Sequence, residues 1–205
     1  MTDFESVPFP VLILVALFVL LIVLVEVRVL TYAYRKIGVH PRYAFAVMLL
    51  SLIGSRFDIP LFAIAPSGAA RTSASTLVAL NVGGALIPIL VSLYLLLHTR
   101  MYGRMLIGTA VVAAVVYHLA RLVPGAGIAV PIFAPPLLAA AVALVLAFRR
   151  APPVAYVAGS MGTLIGADLM NLGEIARIGA PVVSIGGAGT FDGVFLTGLL
   201  AGLLA

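Results

Sequence analysis

Two aspartates lie inside the last apolar stretches of this chain, Asp168 in GTLIGADLMNL and Asp192 in IGGAGTFDGVFLTG. A carboxylate at the centre of a membrane helix costs about 2.5–3.5 kcal/mol on insertion scales. An apolar residue would avoid that cost, so the pair is where chemistry is expected. Two carboxylates within about 3–5 Å cannot both ionise easily and come to share one proton. One can then activate a water while the other protonates a carbonyl, which is the chemistry of an aspartyl hydrolase. Asp168 and Asp192 are therefore the candidate catalytic residues. The structural alternative is that Asp192 caps its own helix through the helix dipole and Asp168 is wetted near the interface.

Gly187, Gly189 and Thr190 precede Asp192, and Asn171 follows Asp168 by three residues. These four are the candidates for lining a substrate cavity, and Asp168, Asn171 and Glu174 form a polar stripe at three-residue steps. Such oxygens suit a hard cation. The chain has no cysteine, however, and its three histidines are scattered. No metal and no other cofactor is expected.

These residues must be positioned by elements that lipid, not water, surrounds. Of the 205 residues 63% are hydrophobic and 9% charged, against about 25% charged in a soluble domain. Backbone groups in lipid must pair internally, which leaves helices or a closed barrel. Continuous runs of Leu, Ala and Val read as helices. The formal charge of +5 comes from few residues and carries topology, with no nucleic-acid partner implied.

A crossing needs about 20 apolar residues. Seven stretches qualify, at about 7–29, 43–65, 76–98, 105–122, 130–148, 153–173 and 182–205. The first follows Asp3 and Glu5 and precedes its basic flank, so it reads as an anchor and not as a signal peptide. Arg28, Arg35, Lys36, Arg42, Arg100, Arg104, Arg149 and Arg150 fall on one side, and Arg56, Arg71, Arg121 and Arg177 on the other. The positive-inside rule then places the N-terminus outside and the C-terminus in the cytoplasm of a multi-pass cell-membrane protein.

Two of the seven are irregular. Segment 2 contains Gly54 to Pro60, with Arg56 and Asp58 between apolar flanks, and a helix break is expected there because proline removes a helical hydrogen bond. Segment 7 opens with Gly186, Gly187 and Gly189, and each glycine costs about 1 kcal/mol in a helix relative to alanine. Thr190 is expected to cap a helix starting at Phe191. Fifteen residues from there span only about 22 Å, so the glycines sit inside the membrane, where irregular backbone is tolerated only against protein or water. In segment 6, Ala155, Gly159, Thr163 and Ala167 recur every four residues and suit close helix contact. The expected fold is all-α: a single transmembrane domain, residues 1–205, forming a polytopic bundle of about seven segments with segments 2 and 7 broken.

The strings SLIGSRFDIPLF, LNVGGALIPILVSLYL, VPGAGIAVP, GTLIGADLMNL and SIGGAGTFDGVFLTGLLA together resemble an uncharacterised family of prokaryotic integral membrane proteins, a domain of unknown function. That resemblance implies architecture, not chemistry. A second, looser likeness is to the GxGD intramembrane aspartyl proteases, the presenilin and signal peptide peptidase type. There Asp168 matches the first aspartate and Asp192 the second, with Gly187-Ala188-Gly189 as the glycine element. The pattern departs in three places: Thr190 and Phe191 separate the glycines from Asp192, Ala167 replaces a tyrosine, and no Pro-Ala-Leu follows. The expected function is an intramembrane aspartyl hydrolase of the peptidase kind, acting on a transmembrane peptide or small molecule in the lipid bilayer. The alternatives are a proton- or ion-coupled transporter, and a non-catalytic membrane protein with structural aspartates.

Overall fold

The computed structural model describes residues 9–64, 75–123, 127–177, 181–187 and 193–205. The elements run α1 (Phe9–Ile37), α2 (Pro41–Gly54), β1 (Asp58–Ile64), β2 (Thr76–Asn81), α3 (Val82–Thr99), α4 (Tyr102–Leu119), β3 (Arg121–Val123), β4 (Gly127–Ala129), α5 (Ala134–Glu174), β5 (Val182–Ile185) and α6 (Gly193–Leu204). The chain is mostly helical, as expected, but it also contains strands.

Four helices are long and apolar enough to cross a membrane: Val11–Ile37, Val82–Thr99, Tyr102–Leu119 and Ala134–Glu174. Arg42–Gly54 and Gly193–Leu204 are apolar but shorter. The seven helical segments expected from hydropathy are corrected accordingly. Segment 2 splits into α2 and β1, segment 3 opens as β2, and segment 7 opens as β5. Each of these runs is largely apolar, and a short apolar run suits a buried strand as well as a helix.

α5 does not run straight. Ala147 leaves the helical region (φ −150°, ψ 43°) and a single 3₁₀ turn, Phe148–Arg150, follows it. Pro152 and Pro153 open the second arm, Ala151–Thr163. They lack amide hydrogens and their rings clash with the preceding turn, so the first arm cannot continue through them. The arms fold back on each other. A Cβ placed on Gly159 would lie 3.3 Å from the Ala139 side chain, whereas 20 residues of straight helix span about 30 Å.

Small residues let the helices approach closely. Ala155, Thr163 and Ala167 are buried, and a Cβ on Gly159 would also meet Ala201 at 3.2 Å and Thr197 at 3.3 Å. The small-residue face therefore receives α6 and the first arm of α5. The neighbouring face, Gly162 and Gly166, packs on Val112 and Ala113 of α4. The core between these helices is built from Tyr34, Ile37, Leu95, Met105, Val112, Val116, Val154 and Tyr156. Among the described residues Tyr34, Ser92 and Thr163 bury hydroxyls with no hydrogen-bond partner.

The three-stranded sheet has order β1-β2-β5, with β1 antiparallel to β2 and β2 parallel to β5. β2 is the buried centre and β1 the exposed edge. The register places Asp58 opposite Asn81. β3 and β4 form a separate two-stranded ribbon.

Candidate functional site

α2 stops at Gly54, and by Asp58 the chain is extended. The Ser55 amide is held by Ser51 O at 2.9 Å and the Phe57 amide by Gly54 O at 2.9 Å. The break expected between Gly54 and Pro60 is present. α3 starts equally abruptly. Asn81, still extended at φ −72° and ψ 129°, caps a π-helical turn over Val82–Leu86. Its Oδ1 accepts the Gly84 amide at 2.8 Å, which fixes the amide orientation. The Nδ2 group then donates to Ser55 O at 2.9 Å and to Asp58 Oδ1 at 3.0 Å. One buried asparagine thus ties the end of α2, the start of β1 and the start of α3 together.

Gly83 makes this approach possible. Ser51 Oγ donates to Gly83 O at 2.7 Å, and a Cβ on Gly83 would collide with Ser51 O and Ser55 N. Only a glycine allows the two backbones to pass so closely.

β5 completes the site. Ser184 Oγ donates to Asp58 Oδ1 at 2.5 Å. Asp58 Oδ1 therefore accepts two hydrogen bonds, while its Oδ2 has no partner among the described residues. A cavity of about 720 Å³ opens here, and Ser55, Arg56, Asp58, Asn81, Ser184 and Gly187 supply its polar lining. Leu52, Ile53 and Phe57 form its apolar wall. Arg56 and Asp58 are both exposed, and they form no ion pair with each other among the described residues.

The residues singled out by sequence fare differently. Gly187 lines this cavity. Asp168 does not; it is half-buried at the end of a π-helical turn, Leu164–Asp168, and its Oδ2 accepts the Gly186 amide at 2.7 Å. Gly186 has φ +71°, a left-handed turn that suits glycine, and the aspartate pins that turn to α5. Asn171 turns back on its own helix and donates to Gly166 O at 3.0 Å and Ala167 O at 2.9 Å. The polar stripe expected from Asp168 through Asn171 is thus a helix-end cap, because Asn171 spends both amide hydrogens on its own backbone. Asp192, Gly189 and Thr190 lie outside the described residues, as does the expected helix start at Phe191. The described part of α6 begins at Gly193. Among the described residues no group of three or more His, Cys, Asp or Glu side chains could hold a metal ion.

Residues 50–204 match the family described as protein of unknown function, DUF1614. The chain belongs to this family. No curated protein and no solved structure matches it. The DUF1614 match begins just before Ser51 and takes in α3, α5, β5 and α6, so the whole Asp58 cluster lies within it. α1 lies before it and contributes Tyr34 and Ile37 to the core.

In the sequence Asp58 and Arg56 stand out only as costly residues at a helix break, and nothing assigns Asn81 or Ser184 a role. The available signal was local. Asn81 stands directly before Val82-Gly83-Gly84, a cap-then-glycine pattern, and Asp58 follows the helix stop at Gly54 by a short turn. Neither fact alone reveals that the two residues face each other across a pair of strands.

Proposed function

We propose that this DUF1614 protein is a multi-pass membrane protein that binds a small polar solute at Asp58 and carries it across the bilayer. The observation that supports this reading is the state of the Asp58 carboxylate. Among the described residues one oxygen is anchored by Asn81 and Ser184 and the other has no partner, in a cavity that Arg56 also lines without an ion pair to them. An anchored carboxylate in one cavity with a guanidinium suits a solute bearing both an amine and an acid group, each held by a charge-assisted hydrogen bond. Carriers commonly bind substrate where helices are interrupted, because unwound backbone supplies polar groups at depth. Here α2 and α3 are both interrupted at the cavity.

In this reading α2 with β1 forms one pass and the two arms of α5 form two, giving seven passes, with the N-terminus outside and the C-terminus in the cytoplasm. The eight-to-four asymmetry of basic residues supports that orientation. Reporter fusions after Arg42, Arg104 and Arg150 would read cytoplasmic, and the opposite result would reverse it.

A hydrolytic reading is favoured by one further observation. Asp58 and Asp168 both bind the strand end at β5, through Ser184 and Gly186, two residues apart. The carboxylate pair of that reading is Asp168 with Asp192.

The test separates these readings. Asp58→Asn keeps the oxygen that accepts from Asn81 and Ser184 and removes only the charge. In the carrier reading, zwitterionic solutes raise the melting temperature of the wild-type protein and exchange across proteoliposomes, and Asp58→Asn abolishes both effects while remaining folded. Equal binding and exchange by the variant would remove Asp58 from the function. Peptide cleavage lost in Asp168→Asn would establish the hydrolase instead.

A further inference from the structure

A second polar cavity, of about 560 Å³, lies where α3 hands over to α4 and is lined by Thr99, Arg100, Met101, Tyr102, Gly103, Arg104 and Arg150. The three arginines come from two places in the chain. Arg100 and Arg104 flank the α3–α4 junction, and Arg150 stands on the elbow of α5. Among the described residues no carboxylate lines this cavity. Three like charges around one hollow repel each other, and an anion removes that repulsion.

The backbone points the same way. Arg100 is the non-glycine residue with positive φ among the described residues, at 55°, a left-handed conformation that a residue with a Cβ rarely adopts. It closes α3 and turns Arg100 and Met101 into the cavity rim. α4 then starts without a side-chain cap and without an acidic residue in its first turn, and Arg104 occupies that turn instead. A cation near the positive end of a helix is unfavourable, and uncapped amides at a helix start bind phosphate readily.

The surroundings choose among anions. Leu97 is 60% exposed, Leu106 62% and Phe148 79%, each within three residues of one of the arginines. Exposed apolar side chains next in sequence to the arginines of a basic hollow fit a molecule with a charged head and an apolar body. The two cavities stand at opposite ends of α3, and in the membrane reading above the end with Arg100 is the cytoplasmic one, where basic residues meet anionic headgroups. Arg100, Arg104 and Arg150 would then sit at headgroup level. We infer that this cavity binds the phosphate headgroup of an anionic phospholipid, with the acyl chains against Leu97, Leu106 and Phe148. The inference rests on the membrane reading above and is independent of the solute carried at Asp58. Free phosphate shares the headgroup chemistry and lacks the apolar body.

The experiment reconstitutes the purified protein into nanodiscs of phosphatidylcholine with and without phosphatidylglycerol and counts retained lipids by native mass spectrometry after release. The expected result is selective retention of phosphatidylglycerol by the wild-type protein. Retention should weaken roughly fivefold for each arginine changed to glutamine, since a surface basic residue contributes about 1 kcal/mol towards anionic lipid. Arg150→Gln alone, on an exposed elbow, is the variant that keeps the test valid if the triple change misfolds. Equal retention of both lipids, or retention unchanged in the arginine variants, overturns the site. Millimolar inorganic phosphate that displaces the lipid and stabilises the delipidated protein equally well would make it a free-phosphate site and overturn the lipid assignment. Failure to enter phosphatidylcholine nanodiscs at all would instead strike the membrane reading.

Discussion

Asp58 and Ser184, 126 residues apart in sequence, share a 2.5 Å hydrogen bond. It couples the end of α2 to β5 directly, and Asn81 bridges the same carboxylate to the start of α3. The site is therefore a junction of three interrupted elements, each of which would leave polar backbone unpaired without the others.

Asn81→Ala should be the most damaging single change at this junction. It removes the Gly84 cap and the bonds to Ser55 and Asp58 together. A lost cap costs about 1 kcal/mol and an orphaned buried partner about 1–3 kcal/mol more. The melting temperature in detergent should fall clearly, and ligand binding at Asp58 should weaken with it. An unchanged melting curve would show that the bridge carries no stability.

Glycine substitutions should sort by what surrounds them. At Gly83 and Gly166 an added Cβ would meet the backbone of Ser51 and Ser55, or of Ala113, and backbone cannot swing aside. Gly83→Ala and Gly166→Ala should each cost at least about 1–3 kcal/mol, as overpacking does. Gly173 has nothing within 4 Å of that position, so Gly173→Ala should be neutral or gain about 0.4–1 kcal/mol. Thermal unfolding of the three variants side by side is the check.

Asp168→Asn should leave the fold intact, since an amide oxygen can still accept the Gly186 amide. Asp168→Leu should cost about 1.5–3 kcal/mol, the range for a hydrogen bond to a charged group, and should loosen the Gly186 turn. Amide hydrogen exchange at Gly186 reads this directly. Fast exchange in the leucine variant and slow exchange in the asparagine variant is the expected pattern.

The orphan hydroxyl of Tyr34 gives a prediction of opposite sign. It is buried without a partner, so Tyr34→Phe should cost nothing and can gain up to about 1 kcal/mol. Ser51→Ala removes a buried bond to Gly83 O and should cost about 1 kcal/mol. A large loss in Tyr34→Phe would show that the hydroxyl is bonded in the working protein.

The apolar character of the helices and the break after Gly54 were legible in the sequence because each depends on nearby residues: hydropathy over a window, a glycine, a proline. The strands were not. Thr76–Asn81 is apolar on both faces because it is the centre of its sheet, and that pattern has no strand period to detect. The Asp58 cluster needs the β1–β2 register and the β5 crossover, neither of which local patterning encodes. The gathering of Arg100, Arg104 and Arg150 needs the elbow before Pro152 and Pro153. That these arginines share one side was legible, because 130–148 and 153–173 read as separate crossings joined at Arg149 and Arg150, but that they line one hollow was not.

The parallel pairing of β2 with β5 has a consequence for how the molecule is made. β2 ends at Asn81 and β5 begins at Val182, so the ribosome must add about a hundred residues before β2 can meet its second neighbour. During that interval the inner strand has one open flank and Asp58 lacks its serine. Helices α3, α4 and α5 are synthesised first and must hold that flank ready. Chains that stall before β5 would expose an unpaired strand flank, a mark by which a cell could tell the unfinished protein from the finished one.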